Sequence, residues 1–121
     1  MHLMRILRAL ADENRLRILN LLYQEPLCVC QLQVVLDLNQ SNASRHLGKL
    51  SDSGLLVSEK KAQWVYYRID PNILAEHKFL KSLFDNEFQT NTIFVEDRNR
   101  LEEHSNKGFE CTRDDSCQCH N

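Results

Sequence analysis

Leu38-Asn39-Gln40-Ser41-Asn42-Ala43-Ser44-Arg45-His46-Leu47 is the stretch on which the fold turns. Asn39 is placed to cap a helix running from Gln40 to about Ser53, with Ala43, Leu47 and Leu50 facing inward and Gly54 as its stop. Just before it, a helix from about Val29 to Leu36 buries Leu32, Val35 and Leu36, and Asp37-Leu38-Asn39 makes a tight turn. Short helix, short turn and polar-faced helix form a helix-turn-helix pattern.

Leu55 to Lys61 and Trp64 to Asp70, rich in Val, Tyr and Ile, flank Ala62-Gln63 and predict a two-stranded hairpin. The turn lacks the Asn-Gly pair that would fix its length. A hairpin directly behind a recognition helix is the wing of a winged helix. The expected fold class is mainly α with a small β-hairpin, a winged helix-turn-helix.

Upstream, Leu3, Met4, Leu7 and Leu10 recur at helical spacing, and Asp12 or Asn14 caps a second helix carrying Leu16, Ile18, Leu19, Leu22 and Tyr23, which Pro26 stops. Pro71 opens a fifth helix. Its apolar residues Ile73, Leu74, Phe79, Leu80, Leu83, Phe84 and Phe88 exceed what one small face requires, which suggests a surface shared with a partner subunit. Thr90 to Val95 favours extended structure and Glu96 to His104 a short charged helix. The expected division is a DNA-binding and dimerisation domain over 1–104 and a flexible cysteine-containing tail over 105–121.

The net charge of −2 conceals an uneven distribution. Residues 1–40 balance, 41–84 carry seven Lys and Arg against four Asp and Glu, and 85–121 carry four against nine. The middle third is the electrostatic footprint expected of a DNA-binding surface. No apolar run approaches the roughly 20 residues of a membrane span and no charged leader opens the chain, so a cytoplasmic location without membrane contact is expected.

Five cysteines is an odd number, and two of the gaps between them hold one residue, which suits a shared ion better than a disulfide framework. Cys28 and Cys30 sit about ten residues ahead of the recognition segment as two soft ligands for a thiophilic ion. On a regular helix, residues two apart point about 200° away from each other, so the sequence predicts that this segment unwinds at its first turn when one ion takes both sulfurs. Arg45 can donate two hydrogen bonds to the N7 and O6 edge of guanine, and Gln40, Ser41 and Ser44 can reach phosphates or base edges. Lys49, Lys60, Lys61 and Arg68 are candidates for backbone phosphates.

The run Leu38 to Leu47, with Leu50, Ser53-Gly54-Leu55-Leu56-Val57 and Trp64-Val65-Tyr66-Tyr67-Arg68, resembles the ArsR/SmtB family of metal-sensing bacterial repressors over about residues 3–75. Leu27-Cys28-Val29-Cys30 is similar to the inducer-site segment of the arsenic-responsive branch. The resemblance implies a homodimer, joined through terminal helices, that blocks an inverted-repeat operator until an ion releases it. It also implies that Ser41, Ser44, Arg45 and His46 address the groove, and that As(III) or Sb(III) is the inducer. Many arsenic sensors of the family carry a third cysteine three residues after the pair, where this chain has Gln33. Cys111, Cys117 or Cys119, from the same or the opposite subunit, are candidates for the missing sulfur, and a two-thiolate site stays open.

Two other readings use the same residues: a redox or reactive-sulfur sensor, and a Cd, Pb or Zn sensor. His77 is isolated from the paired Asp and His pattern of the family's zinc sensors. An enzyme, such as a thiol reductase, is disfavoured. Six residues after Cys28, Cys30 and Cys111 stand Val34, Leu36 and Cys117, so there is no phosphate-cradling Cys-x5-Arg loop, and no Gly-rich anion loop either.

Overall fold

The structure is a computed structural model that describes residues 2–106. Cys111, Cys117 and Cys119, and nearly all of the tail expected over 105–121, lie outside the described residues. The elements run α1 (His2–Leu10), α2 (Glu13–Leu22), β1 (Leu27–Cys28), α3 (Val29–Leu36), α4 (Gln40–Asp52), β2 (Leu56–Lys61) and β3 (Trp64–Ile69). They continue with α5 (Pro71–Glu76), α6 (Lys78–Ser82), a π-helical turn (Leu83–Glu87), α7 (Phe88–Thr90) and α8 (Thr92–Asn106). No helix among the described residues is long and apolar enough to cross a membrane.

Local chemistry sets the boundaries of the helix-turn-helix. The Asp12 carboxylate accepts from the Arg15 N–H at 3.1 Å, and the Asn39 side-chain oxygen accepts from the Asn42 N–H at 2.8 Å, each closing the first turn of its helix. Asp37 ends α3 in the left-handed region at φ 54°, and Gly54 takes φ 88° to turn the chain out of α4. Leu32, Val35 and Leu36 of α3 and Ala43, Leu47 and Leu50 of α4 join the core, so the turn Asp37 to Asn39 is held from both sides.

The hairpin β2–β3 is antiparallel, in register from Leu56 opposite Ile69 to Lys61 opposite Trp64, and Ala62 carries the positive φ of 57° that the two-residue turn demands. A third strand escaped the sequence. The two-residue β1 pairs antiparallel with β3, Leu27 opposite Tyr67 and Cys28 opposite Tyr66, giving the order β1-β3-β2. Two residues are too few for a period-2 pattern to register.

Beyond the wing the structure departs from expectation twice. The fifth helix breaks at His77 (φ −126°, ψ 89°), and its apolar surplus turns mostly inward. Leu80, Phe84 and Phe88 are fully or almost fully buried, and Phe88 sits between Phe84, at a ring-centroid distance of 5.1 Å, and Phe94, at 4.5 Å. Thr90 to Val95 is not extended, because α8 starts at Thr92 and continues to Asn106. The β-branched preference of Thr92, Ile93 and Val95 is overruled by the packing of Phe94 and by the Asn20 amide, which donates to the Phe94 carbonyl at 2.9 Å.

A buried charge network clamps α8 to the helix-turn-helix. Asp97 has no exposed surface; it accepts from Arg17 Nε at 2.7 Å and Arg17 Nη2 at 2.9 Å, and also from Arg100. Arg100 Nε donates onward to the Val35 carbonyl of α3 at 3.0 Å, and Arg98 donates to the Phe88 carbonyl and to Asn20. The bidentate Arg17 pair gives Asp97 both charge and fixed geometry, and the long-range partners tie α2, α3 and α8 into one body.

Candidate nucleic-acid interface and thiol site

Helix α4 presents a clean polar face because its apolar residues recur at helical spacing on the other side. Ser41, Arg45, Gly48 and Lys49 are exposed, and Gln40 and Ser44 are half-buried, with Gln40 Nε2 donating to Ser44 Oγ at 2.8 Å. Arg45 leans on the Asn42 side-chain oxygen at 3.4 Å, a weak restraint that leaves its guanidinium available to a base edge. Lys60 and Lys61 on β2 and Arg68 on β3 are exposed on the wing, a second set of cations beside the first.

His46 is the exception among the residues expected on this face. It is 2% exposed and turns into the protein, where Nδ1 lies 3.3 Å from Arg15 Nη1 and 4.0 Å from Asp12. On a helix, His46 follows Ala43 by three positions and precedes Leu50 by four, which places it on the buried stripe. Burial pushes its imidazole below the ordinary value; Asp12 opposes this, and Arg45, Arg15 and Lys49 add to it. His46 is therefore packed against α2, on the buried side of the recognition helix and away from its exposed polar face.

The thiol pair also differs from expectation, and informatively. Cys28 is not helical: it is the cap of α3 in an extended conformation (φ −94°, ψ 171°), and its N–H donates to the Gln31 side-chain oxygen at 2.9 Å. Cys30 lies in the first turn. This boundary brings the two sulfurs to 3.5 Å, so the helix does not have to unwind for one ion to reach both. A disulfide between them would need about 2.05 Å, so they are not bonded to each other. Two metal–sulfur bonds of about 2.3 Å at a tetrahedral angle span about 3.8 Å, a few tenths of an ångström from the 3.5 Å at which the pair already stands.

Both cysteines are buried, 0% and 5% exposed, in a small cluster of their own beneath Trp64 and Tyr66 of β3. The thiols thus touch the wing on one side and, through α3, the recognition helix on the other. The start of a helix is where anionic sulfur is best tolerated. No group of three or more metal-ligating side chains occurs among the described residues, so any third sulfur must come from elsewhere.

A winged helix with exposed cations on α4 and on the wing is the architecture of a DNA-binding regulator. The family model described as "Bacterial regulatory protein, arsR family" matches residues 12–58, which span α2 to the first residues of the wing. The Arsenical resistance operon repressor of Escherichia coli (strain K12) is 48% identical over 71 residues, 58% of this chain and 61% of that protein. HlyU from Vibrio cholerae N16961 shares the fold at a TM-score of 0.59 and 35% identity, over 70% of this chain and 94% of that one. The homodimeric winged helix-turn-helix domain Mb0332 from Mycobacterium bovis gives a TM-score of 0.61 and 30% identity, over 71% and 80%. The chain belongs to the ArsR family. It spans little more than half the length of the curated relatives it matches.

Proposed function

We propose that the chain is a metalloid-responsive transcriptional repressor and not an enzyme. It binds an inverted-repeat operator in the cytoplasm as a homodimer and lets go when As(III) or Sb(III) is captured by thiolates. The observation that carries this reading is the pair Cys28 and Cys30, 3.5 Å apart at the start of the helix that packs on the recognition helix. The similarity to a relative named an arsenical resistance operon repressor supports it.

In this account Arg45 reads a base edge, Gln40, Ser41 and Ser44 fix the register, and Lys49, Lys60, Lys61 and Arg68 hold phosphates. Leu3, Met4 and Leu7 form an apolar strip on α1, each about two-fifths exposed, and with exposed Phe79 they are the surface for a second subunit. Cys28 and Cys30 supply two sulfurs, and Cys111, with Cys117 and Cys119 as alternatives, supplies the third.

Because the pair is already at chelating distance, the strain of binding does not come from unwinding α3. It comes from placing an ion in a cluster packed to interior density, where Trp64, Tyr66 or the short strand β1 must yield. Since β1 and β3 carry that cluster, the wing shifts against the recognition helix and the duplex is released.

The test is release of the reduced chain from its own promoter DNA by arsenite, antimonite, cadmium and peroxide in separate titrations. Release by arsenite or antimonite that disappears in Cys28→Ser and Cys30→Ser, with DNA binding intact, supports the reading. Release by peroxide alone transfers the same residues to a redox sensor, and release by cadmium alone to a divalent-ion sensor.

A further inference from the structure

An open cleft of about 580 Å3 separates α1 from the C-terminal half of α4. It is lined by Arg5, Arg8, Ala9 and Arg15 from the first two helices and by Lys49, Asp52 and Ser53 from α4 and its end. Four cationic side chains thus face one carboxylate.

The four are not equivalent. Arg15 is committed to the fold: Nε donates to the Ala9 carbonyl at 2.7 Å, Nη2 to the Arg8 carbonyl at 3.3 Å, and Nη1 approaches His46. It caps the end of α1 and lies 3.7 Å from the Asp12 carboxylate, so it forms a fixed, partly neutralised wall. Arg5, Arg8 and Lys49 are exposed, and no ion pair engages any of them among the described residues. Three cations without an ion-pair partner, beside the single carboxylate Asp52, leave the concavity net positive, and guanidinium and ammonium donors around it match a phosphate.

Location decides which phosphate. Lys49 follows Arg45 by one helical turn on the exposed flank of α4, so the cleft continues the surface that reads the duplex. It is open, as suits one group of an extended polyanion rather than an enclosed small ligand. The geometry points to a phosphate-binding site between the N-terminal helix and the recognition helix that grips one backbone phosphate of the bound duplex per subunit, with Arg5 and Arg8 as its movable donors. This inference rests on the DNA-binding reading above and extends the contact surface to α1.

The test uses the full chain, a duplex selected by that chain from a random pool, and the variant Arg5→Gln/Arg8→Gln. Both side chains are exposed, so the thermal melt of the variant should match the parent. One phosphate lost per subunit lowers the slope of log affinity against log salt by about 0.9 per subunit, about 1.8 for a dimer. Phosphate-ethylation interference should lose one position per half-site, while preference for the selected duplex over random DNA stays as in the parent. An unchanged slope and interference pattern would overturn the site, and so would tight calorimetric binding of inorganic phosphate to the parent with no change in the slope. Arg45→Ala run in parallel separates the two readings. If it abolishes sequence preference while the double variant changes nothing, the cleft alone fails; a parent chain that selects no duplex overturns both.

Discussion

Replacing Asp97 by Asn tests the clamp that holds α8 to α2 and α3. The carboxylate is wholly buried and takes two hydrogen bonds from Arg17 and one from Arg100, whose other donor holds the Val35 carbonyl of α3. Asparagine keeps the size, removes the charge and presents an amide donor to guanidinium donors. Breaking one partner of a buried ion pair costs about 3 to 5 kcal/mol. The lower end applies, because the Arg17 and Arg100 side chains are 17% and 42% exposed and can turn to water. We expect a loss of about 3 kcal/mol in urea unfolding at fixed protein concentration, and a fall in Tm of roughly 12 °C at about 4 °C per kcal/mol. Arg17→Met/Asp97→Leu, which removes both charges, should recover most of that loss. A loss below about 1 kcal/mol for Asp97→Asn would refute the reasoning, since exposed pairs are worth no more than this.

Arg45→Ala should cost roughly 1 to 3 kcal/mol on the selected duplex and relax preference at one base pair, read by fluorescence anisotropy; an unchanged preference removes Arg45 from the readout. His46 carries a pH signature. Its folded-state value lies below the unfolded value of 6.5, so the unfolded chain takes the extra proton first. Stability from this group is therefore full above 6.5 and is lost as pH falls from there toward the folded value. Urea midpoints measured between about pH 8 and pH 5 should drop less in His46→Gln than in the parent; parallel curves contradict the burial argument. Trp64, the sole tryptophan, covers the thiol pair, so its emission should change with saturating arsenite and not do so in Cys28→Ser. An identical response in the variant would place the ion elsewhere.

Much of the fold was legible in the sequence because its signals are local. Asp12, Asn39 and Gly54 punctuate the helices where they were expected, and the runs Leu55 to Lys61 and Trp64 to Asp70, rich in Val, Tyr and Ile, mark the wing. What was hidden depends on partners distant in sequence. Helical spacing alone does place Asp97 between Phe94 and Leu101 on an apolar stripe, which is a readable hint of a buried carboxylate; only the fold identifies Arg17, eighty residues away, as its partner. His46 shows the same weakness, since a histidine amid Ser44, Arg45 and Lys49 looks groove-facing until its place on the stripe with Ala43 and Leu50 is weighed. The chelating distance of Cys28 and Cys30 escapes a reading that puts both cysteines on one regular helix; the helix starts at about the expected Val29, but Cys28 precedes it in an extended conformation. The cover of Trp64 and Tyr66 follows from the pairing of β1 with β3, which has no sequence signature of its own.

The measurement closest to the central claim is linkage between ion and duplex on one protein. DNA affinity is determined by anisotropy for the reduced chain with and without saturating arsenite, and arsenite affinity for the chain alone and on its duplex. A coupling of about 1 to 3 kcal/mol predicts a five- to 150-fold loss of DNA affinity on arsenite binding, and arsenite affinity must fall by the same factor on the duplex. Arsenite that fills the Cys28 and Cys30 site while both affinities stay unchanged would contradict the account.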